Sequence, residues 1–247
     1  CSQRDSAERE GYVRAHRSFN RIWKERDSAE PDILGKILER DNMNRAYKRV
    51  KANKGAPGID GMTIEAALPW LKEHKDELIG RIKRGKYTPS PVRRVEIPKP
   101  DGGIRKLGIP TVIDRIIQQA IAQQLMPIYE PMFSNGSYGY RPGRSAKDAI
   151  QRVRGYAEEG YRYAVSLDLS RYFDTLNHEI LLNRLRKEVK DERVIQIIKR
   201  YLKSGVMENG VVIETEEGSP QGGNLSPLLA NIYLDEFDKE FERRGVP

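Results

Sequence analysis

The chain has 247 residues, of which 38% are hydrophobic and 32% charged, and its 44 Lys and Arg residues against 36 Asp and Glu give a net charge of +8. This charge favours a polyanionic partner, with nucleic acid ahead of an anionic membrane surface, although a solvated basic face has the same composition. A single cysteine, Cys1, excludes an internal disulfide framework and a cysteine-cluster zinc site, and no apolar run approaches the ~20 residues of a membrane helix.

The N-terminal part of the sequence predicts a leader and a basic helix. Residues 1–35 are polar and show no signal peptide, so we expect a cytoplasmic protein with no membrane partner. Residues 33–54 have helical apolar spacing and end before the turn sequence APGIDG. Clustering of bases beside a turn favours a phosphate-contacting surface, with a solvated helix face as the alternative. The candidate RNA-binding residues are Lys36, Arg40, Arg45, Lys48, Arg49, Lys51 and Lys54.

A basic β-hairpin follows a second predicted helix at 63–85. Val92–Ile97 and Ile104–Ile109 are β-branched segments around the turn residues PDGG, which is typical of a hairpin. Lys99 and Arg105 near its tip could hold a triphosphate, the lysine as a point charge and the arginine as a bidentate fork. Solvation of the hairpin is the alternative interpretation of both residues.

The middle of the chain predicts a buried helix and an arginine-containing loop. Apolar residues recur at i, i+3 and i+4 over 113–125, and we expect Pro127 and Pro131 to end this helix. The sequence GYRPGR that follows is a loop with two arginines, Arg141 and Arg144. Further helices are predicted at 145–158, 180–189, 194–202 and from Ser226, and a second hairpin around Asn209-Gly210.

A strand ending in a lone carboxylate is predicted from YAVSLDL at 163–169. Its large apolar residues alternate toward one face, and Asp168 ends the opposite, small-residue face. Mg²⁺ prefers a few carboxylates and keeps positions for phosphate oxygens, so Asp168 and the backbone carbonyl of Leu169 are candidate ligands. Capping of the next turn is the alternative for Asp168. The turn at 218–224 offers backbone donors and the side-chain amide of Gln221 to the same ligand.

The ordered blocks IPKPDGGIRKLGIP, SYGYRPGRS, SLDLSRYFDTLNH and GSPQGGNLSPLLANIYLDEFD resemble the bacterial group II intron-encoded reverse transcriptase–maturase family. The resemblance covers about residues 40–247. It implies an α+β fold, the fingers and an incomplete palm of a right-hand polymerase. It divides the chain into a leader at 1–35, an N-terminal extension and fingers at 36–155, and a partial palm with fingers-contributed helices and a hairpin at 156–247.

The resemblance implies a catalytic role for the strand-end carboxylate. Asp168 would be the first aspartate of a two-metal Mg²⁺ site, with the Leu169 carbonyl beside it. Phe173 would lie under the sugar of the incoming nucleotide and favour dNTPs over rNTPs, unless it is a core residue. We interpret Asp174 as a turn or cap residue and His178 as a helix-start residue, not as a catalytic base.

The resemblance also implies contacts to the nucleotide and to RNA. Lys99 and Arg105 would contact the triphosphate of the incoming nucleotide. Gln221 would lie against the nucleotide's sugar or base, with satisfaction of turn backbone groups as the alternative. Arg141 and Arg144 would touch the template or intron RNA. The implied partners are group II intron RNA, an RNA template with a DNA primer, and dNTPs, while a homodimer is left open.

The sequence departs from the family pattern near its end. Family members carry a Tyr-x-Asp-Asp turn after the PQGG helix, and this chain reaches Pro247 without it. We do not interpret Tyr233-Leu-Asp235-Glu236 as this motif, because its last residue is Glu and because Tyr233 lies on the apolar stripe of a predicted helix. Since the chain also starts at Cys1 instead of methionine, we expect part of a longer protein that does not synthesise DNA by itself.

The resemblance therefore predicts an RNA-directed DNA polymerase of a group II intron, which reverse-transcribes in retrohoming and assists splicing by binding intron RNA. Two alternatives stay open. One is an RNA-binding splicing cofactor, a maturase that retains the polymerase scaffold. The other is a different bacterial reverse transcriptase, such as a retron or diversity-generating type.

Overall fold

A computed structural model describes residues 32–99, 102–219 and 222–245, so the predicted leader lies largely outside the described residues. Short 3₁₀ turns occur at Glu130–Met132 and Tyr172–Asp174. The helices are α1 (Ile33–Leu38), α2 (Arg40–Ala52), α3 (Ile64–Lys83), α4 (Val112–Tyr129), α5 (Ala146–Glu158), α6 (His178–Glu188), α7 (Glu192–Leu202) and α8 (Ser226–Arg243), and the strands are β1 (Val92–Pro98), β2 (Ile104–Ile109), β3 (Val206–Glu208) and β4 (Val211–Ile213).

The predicted basic helix over 33–54 is two helices that meet at Glu39, where the backbone is extended. Asn42 of α2 lies just after this break, and the residue is only 1% exposed. Its amide forms hydrogen bonds to both α1 and α4. Its Nδ2 donates to the carbonyl oxygens of Ile37 at 2.8 Å and Ala120 at 3.0 Å. Its Oδ1 accepts from the side-chain amides of Gln123 and Gln124 of α4. One polar side chain thus fixes α1 and α2 on α4.

Helix α4 is the buried centre of the molecule, as its apolar spacing predicts. The prediction that Pro127 ends it is wrong, because α4 continues through Pro127 to Tyr129. A proline late in a helix removes one backbone hydrogen bond, and burial of the Tyr129 ring together with its hydroxyl bond to the Leu185 carbonyl at 3.2 Å offsets that loss. A single hydrophobic cluster runs from Ile33 to Ile232, so the described parts of 36–155 and 156–247 share one core.

The sheet has four strands in the order β2-β1-β3-β4. Both predicted hairpins are confirmed, β1 pairing antiparallel with β2 and β3 with β4. Asn209 and Gly210 both have positive φ, as a two-residue hairpin turn of this type requires. The parallel pairing of Val92 with Val206 joins the two hairpins into one sheet. Helices packed with this mixed four-stranded sheet form the α+β architecture that the sequence predicts.

The predicted strand at 163–169 is wrong. Residues 161–169 adopt neither helix nor strand in the structure, and the Tyr163 and Val165 side chains are 97% and 84% exposed. Alternating apolar residues form a buried sheet face only when neighbouring strands pair with the backbone. No strand among the described residues pairs with this segment. The helix before it, α5, begins at the predicted Ser145 cap and has no buried residue.

None of the helices in the described ranges is both long and apolar enough to cross a bilayer.

Candidate nucleotide-binding site

The turn that leads into α8 contacts the short 3₁₀ turn containing Phe173. The Ser219 N–H donates to the Phe173 carbonyl oxygen at 2.6 Å, and the Gly218 N–H donates to the Leu176 carbonyl oxygen at 2.8 Å. Gly218 has a φ of +87°, and a Cβ there would lie 2.7 Å from the Phe173 carbonyl oxygen, so only glycine fits. The structure therefore places Phe173 beside Gly218 and Ser219. The predicted nucleotide contact of Gln221 lies outside the described residues.

The same turn also contacts the basic hairpin, which is formed by β1 and β2, and helix α4. A Cβ on Gly222 would lie 2.6 Å from the carbonyl oxygen of Gly108 in β2, and the φ of Gly222 is +126°. Two residues after Gly222, the side-chain amide of Asn224 donates to Gln119 Oε1 of α4 at 3.1 Å. Gly222 therefore lies beside the basic hairpin, and Gly218 and Ser219 lie beside the Phe173 turn.

The Phe173 turn is anchored from both ends. The Tyr172 hydroxyl donates to the Ala230 carbonyl of α8 at 2.9 Å, and its ring packs edge-on against Phe173 at 5.5 Å between centroids. His178 Nε2 lies 2.6 Å from the Gly218 carbonyl oxygen and therefore carries the proton that it donates. Burial lowers the pKa of His178, which keeps the ring neutral. The interpretation of His178 as a helix-start residue is confirmed, since it is the first residue of α6.

Asp168 and Leu169 lie in the irregular segment and are exposed. Among the described residues no three His, Cys, Asp or Glu side chains approach closely enough to hold a metal ion. Asp174 ends the 3₁₀ turn, as predicted, and its N–H donates to the Arg171 carbonyl. The described carboxylates therefore do not fit a complete two-metal site around Asp168.

Lys99 and Arg105 lie at the exposed end of the hairpin. The Lys99 N–H donates to the Gly103 carbonyl at 2.7 Å, and Arg105 is opposite Ile97 in the register. Both side chains are accessible to a ligand, and their contact with a triphosphate stays a prediction. The seven bases predicted to bind RNA are likewise exposed on α1, α2 and the residues just after α2.

The predicted RNA contact of Arg141 is corrected by the structure. Its side chain is 3% exposed. Its five N–H groups are all directed at Glu130, the Ser134 carbonyl and the Ser137 carbonyl. A guanidinium with every donor used inside the protein has none to offer to a phosphate. Arg144 is half-buried and donates to Asn135 and Ser137, so both arginines hold this loop together.

Sequence reasoning missed the contacts of four polar residues, two at the 222–224 turn and two at the APGIDG turn. Gln118 and Gln119 of α4 contact the 222–224 turn. Arg93 of β1 and Arg115 of α4 hold the APGIDG turn, donating to the carbonyl oxygens of Pro57 and Ala56 respectively. The available signal was a polar residue at a position where the helical pattern is buried, as Gln118 is between Ile117 and Ala120.

A basic hairpin packed on a glycine-rich turn, with an aromatic residue beside that turn, is the framework of a nucleotidyl-transfer fold. Residues 97–246 match the family described as reverse transcriptase (RNA-dependent DNA polymerase), and the chain belongs to that family.

Two curated relatives and one solved structure define the similarity further. The chain is 40% identical over 204 residues to the group II intron-encoded protein LtrA of Lactococcus lactis subsp. cremoris, covering 82% of this chain and 34% of LtrA. It is 38% identical over 222 residues to protein YkfC of Escherichia coli (strain K12), covering 86% of this chain and 57% of YkfC. The predicted resemblance to group II intron-encoded proteins is confirmed.

The solved structure is a chain of the "Partial Cas6-RT-Cas1--Cas2 complex", which matches with a TM-score of 0.57 and 26% identity, over 85% of this chain and 35% of that chain. The chain thus spans little more than half of YkfC and about a third of LtrA.

Proposed function

We propose that this chain is the fingers and part of the palm of an RNA-directed DNA polymerase of the group II intron type. It would extend a DNA primer on an RNA template with dNTPs. The observation that carries the proposal is a pair of close approaches: Gly218 and Ser219 contact the Phe173 turn, and Gly222 contacts Gly108 of β2. The similarity to LtrA, a group II intron-encoded protein, supports the intron type over other reverse transcriptases.

The proposed site binds the nucleotide between the hairpin and the Phe173 turn. Lys99 and Arg105 take the triphosphate, because cations on the phosphates and correct positioning are what phosphoryl transfer needs from the protein. Phe173 excludes a 2′-OH by its bulk, and Gln221 contacts the sugar or base. We propose Mg²⁺ as the metal, with Asp168 and the Leu169 carbonyl among its ligands, since reverse transcriptases generally use divalent ions.

The remaining carboxylates must come from outside the described residues, because none of these joins Asp168. We expect that a polypeptide of these 247 residues does not extend a primer by itself, because its sequence carries no Tyr-x-Asp-Asp motif.

Primer extension with an RNA template, a DNA primer, dNTPs and Mg²⁺ tests the proposal in the protein made from the natural reading frame. Asp168→Asn should lower the rate of incorporation by about 10³-fold, because loss of a metal ligand removes several kcal/mol of barrier lowering. Asp76→Asn, which changes an exposed carboxylate of α3, is the matched control. An Asp168→Asn variant as active as this control would remove Asp168 from the site.

Phe173→Ala provides a second readout in the same assay. It should raise incorporation of rNTPs relative to dNTPs, since the smaller side chain leaves room for the 2′-OH. Unchanged discrimination would mean that Phe173 only packs against Tyr172.

A second function, binding of intron RNA in support of splicing, is favoured by the exposed bases of α1 and α2. The two functions separate in Asp168→Asn, which should retain the affinity of the parent protein for intron RNA. If Asp168→Asn lost both DNA synthesis and affinity for intron RNA, Asp168 would be needed for the folded structure and not specifically for catalysis.

A further inference from the structure

Two consecutive glutamines of α4 face the turn that precedes α8. Gln118 is 6% exposed, and its Oε1 has no hydrogen-bond donor among the described residues. This oxygen is directed at Gly223, where a Cβ would lie only 2.8 Å away. Gln119 accepts the bond from Asn224 through Oε1 and donates through Nε2 to Gln123 at 3.4 Å. Both amides therefore meet the backbone or a side chain of the turn.

Stability alone does not explain the buried Oε1 of Gln118, which lacks a hydrogen-bond donor among the described residues. A buried polar group that is left partly unpaired is less favourable than an apolar group of the same size. Leucine is close to glutamine in size and would suit the apolar surroundings of α4. A small cavity beside Gln118, lined by Ser90, Tyr201 and Ser219, adds further polar groups at this point. The amides therefore serve the position of the turn.

The position of this turn sets the geometry of the proposed nucleotide site. Its two glycines allow no side chain between the turn and β2 or between the turn and α4. A small shift would change the separation between the hairpin that carries Lys99 and Arg105 and the turn at Phe173. The amides oppose such a shift because they contact the turn from α4, a helix that is extensively buried.

We infer that Gln118 and Gln119 are positioning residues that hold the 222–224 turn in register with the fingers hairpin, and so set the affinity for the incoming dNTP. This inference rests on the proposed function. Neither side chain is assigned a contact with substrate.

The test measures KM and kcat for dNTP, with RNA–primer affinity, in the protein made from the natural reading frame. Gln118→Leu should raise the dNTP KM about tenfold, equivalent to about 1.4 kcal/mol, with kcat and RNA–primer affinity within about twofold. Gln124→Leu is the matched control, because it removes an amide from the same helix that bonds to Asn42 instead of the turn. It should leave the dNTP KM unchanged.

A double-mutant cycle covers the case in which Gln118→Leu does not fold. Gln119→Leu and Asn224→Ala should each raise the dNTP KM, and the double variant should raise it no further, because both remove one hydrogen bond. Additive effects, or KM values equal to that of Gln124→Leu in an active parent protein, would overturn the inference. An inactive parent protein would instead overturn the proposed function, and the inference with it.

Discussion

Burial decides how individual ionisable side chains behave in this protein, and Asp114 is the clearest case. Its carboxyl group is 1% exposed and accepts hydrogen bonds from the Tyr87 hydroxyl at 2.5 Å, the Thr111 hydroxyl at 2.7 Å and the Ser90 N–H at 3.2 Å. Loss of hydration on burial raises the pKa of Asp114 above its ordinary value of 3.8, although these bonds oppose the rise. The Tyr87–Asp114 pair joins the loop before β1 to the start of α4.

We expect Asp114 to make the stability of the protein fall as pH rises. The folded state binds the proton more tightly than the unfolded state, so its contribution is complete below 3.8 and is lost as pH rises through the folded-state pKa. Urea unfolding of Asp114→Asn at a series of pH values should show a smaller fall than the parent chain. Asp76→Asn should keep the parent's pH profile. Parallel profiles for the parent and Asp114→Asn would contradict this expectation.

Arg141 should contribute to stability instead of RNA affinity. Arg141→Ala removes one partner of a buried ion pair with Glu130 and should lower the free energy of unfolding by about 3 kcal/mol. The control Arg152→Ala breaks an exposed pair with Glu159 and should lower the free energy of unfolding far less, because solvent screens exposed ion pairs. Denaturant unfolding distinguishes the two. Equal, small losses would show that the Arg141 guanidinium is not held as the structure describes.

At the scale of elements, the segment 161–169 differs most from its sequence pattern. It keeps the alternation of a strand but has no hydrogen-bonded neighbour among the described residues. A segment with exposed backbone and few apolar contacts opens at low free energy.

Hydrogen exchange on the 247-residue polypeptide should therefore show rapid exchange of the amides of 162–169. The amides of β1 that pair with β2 and β3 should be protected in the same sample and serve as the internal reference. Protection of 162–169 equal to that of β1 would mean that a partner strand forms after all.

At the scale of the whole molecule, the net charge of +8 and the exposed bases of α1 and α2 predict salt-dependent binding of RNA. Affinity should fall steeply between about 50 mM and about 200 mM salt as condensed counterions are released. Lys51→Ala should reduce the slope of log K against log salt by about 0.7, the contribution of one phosphate contact on a single strand. Lys187→Ala, whose lysine pairs with Glu236, should not change the slope. An affinity that does not respond to salt would rule out the phosphate contacts.

The sequence by itself determined the features that depend on neighbours along the chain. Asn209-Gly210 specified a hairpin, Ser145 specified the start of α5, and the apolar spacing of 113–125 located α4. The order of the four motif blocks was sufficient to predict the family, because glycine turns and basic hairpins of this kind are each encoded by contiguous residues. The helix bearing Tyr233 was likewise recognised as a helix from its period.

Only the tertiary structure decided features that depend on distant partners. Pairing of 163–169 needs another strand, and the period-2 pattern could not say whether one is present. Arg141 looks like an exposed loop arginine until Glu130 and two carbonyls are brought around it. Gln118 and Asn42 look like ordinary polar residues until folding buries them against a turn and a neighbouring helix. The physical reason is that periodicity and turn chemistry act over a few residues, whereas burial and hydrogen-bond partners are assigned by the whole fold.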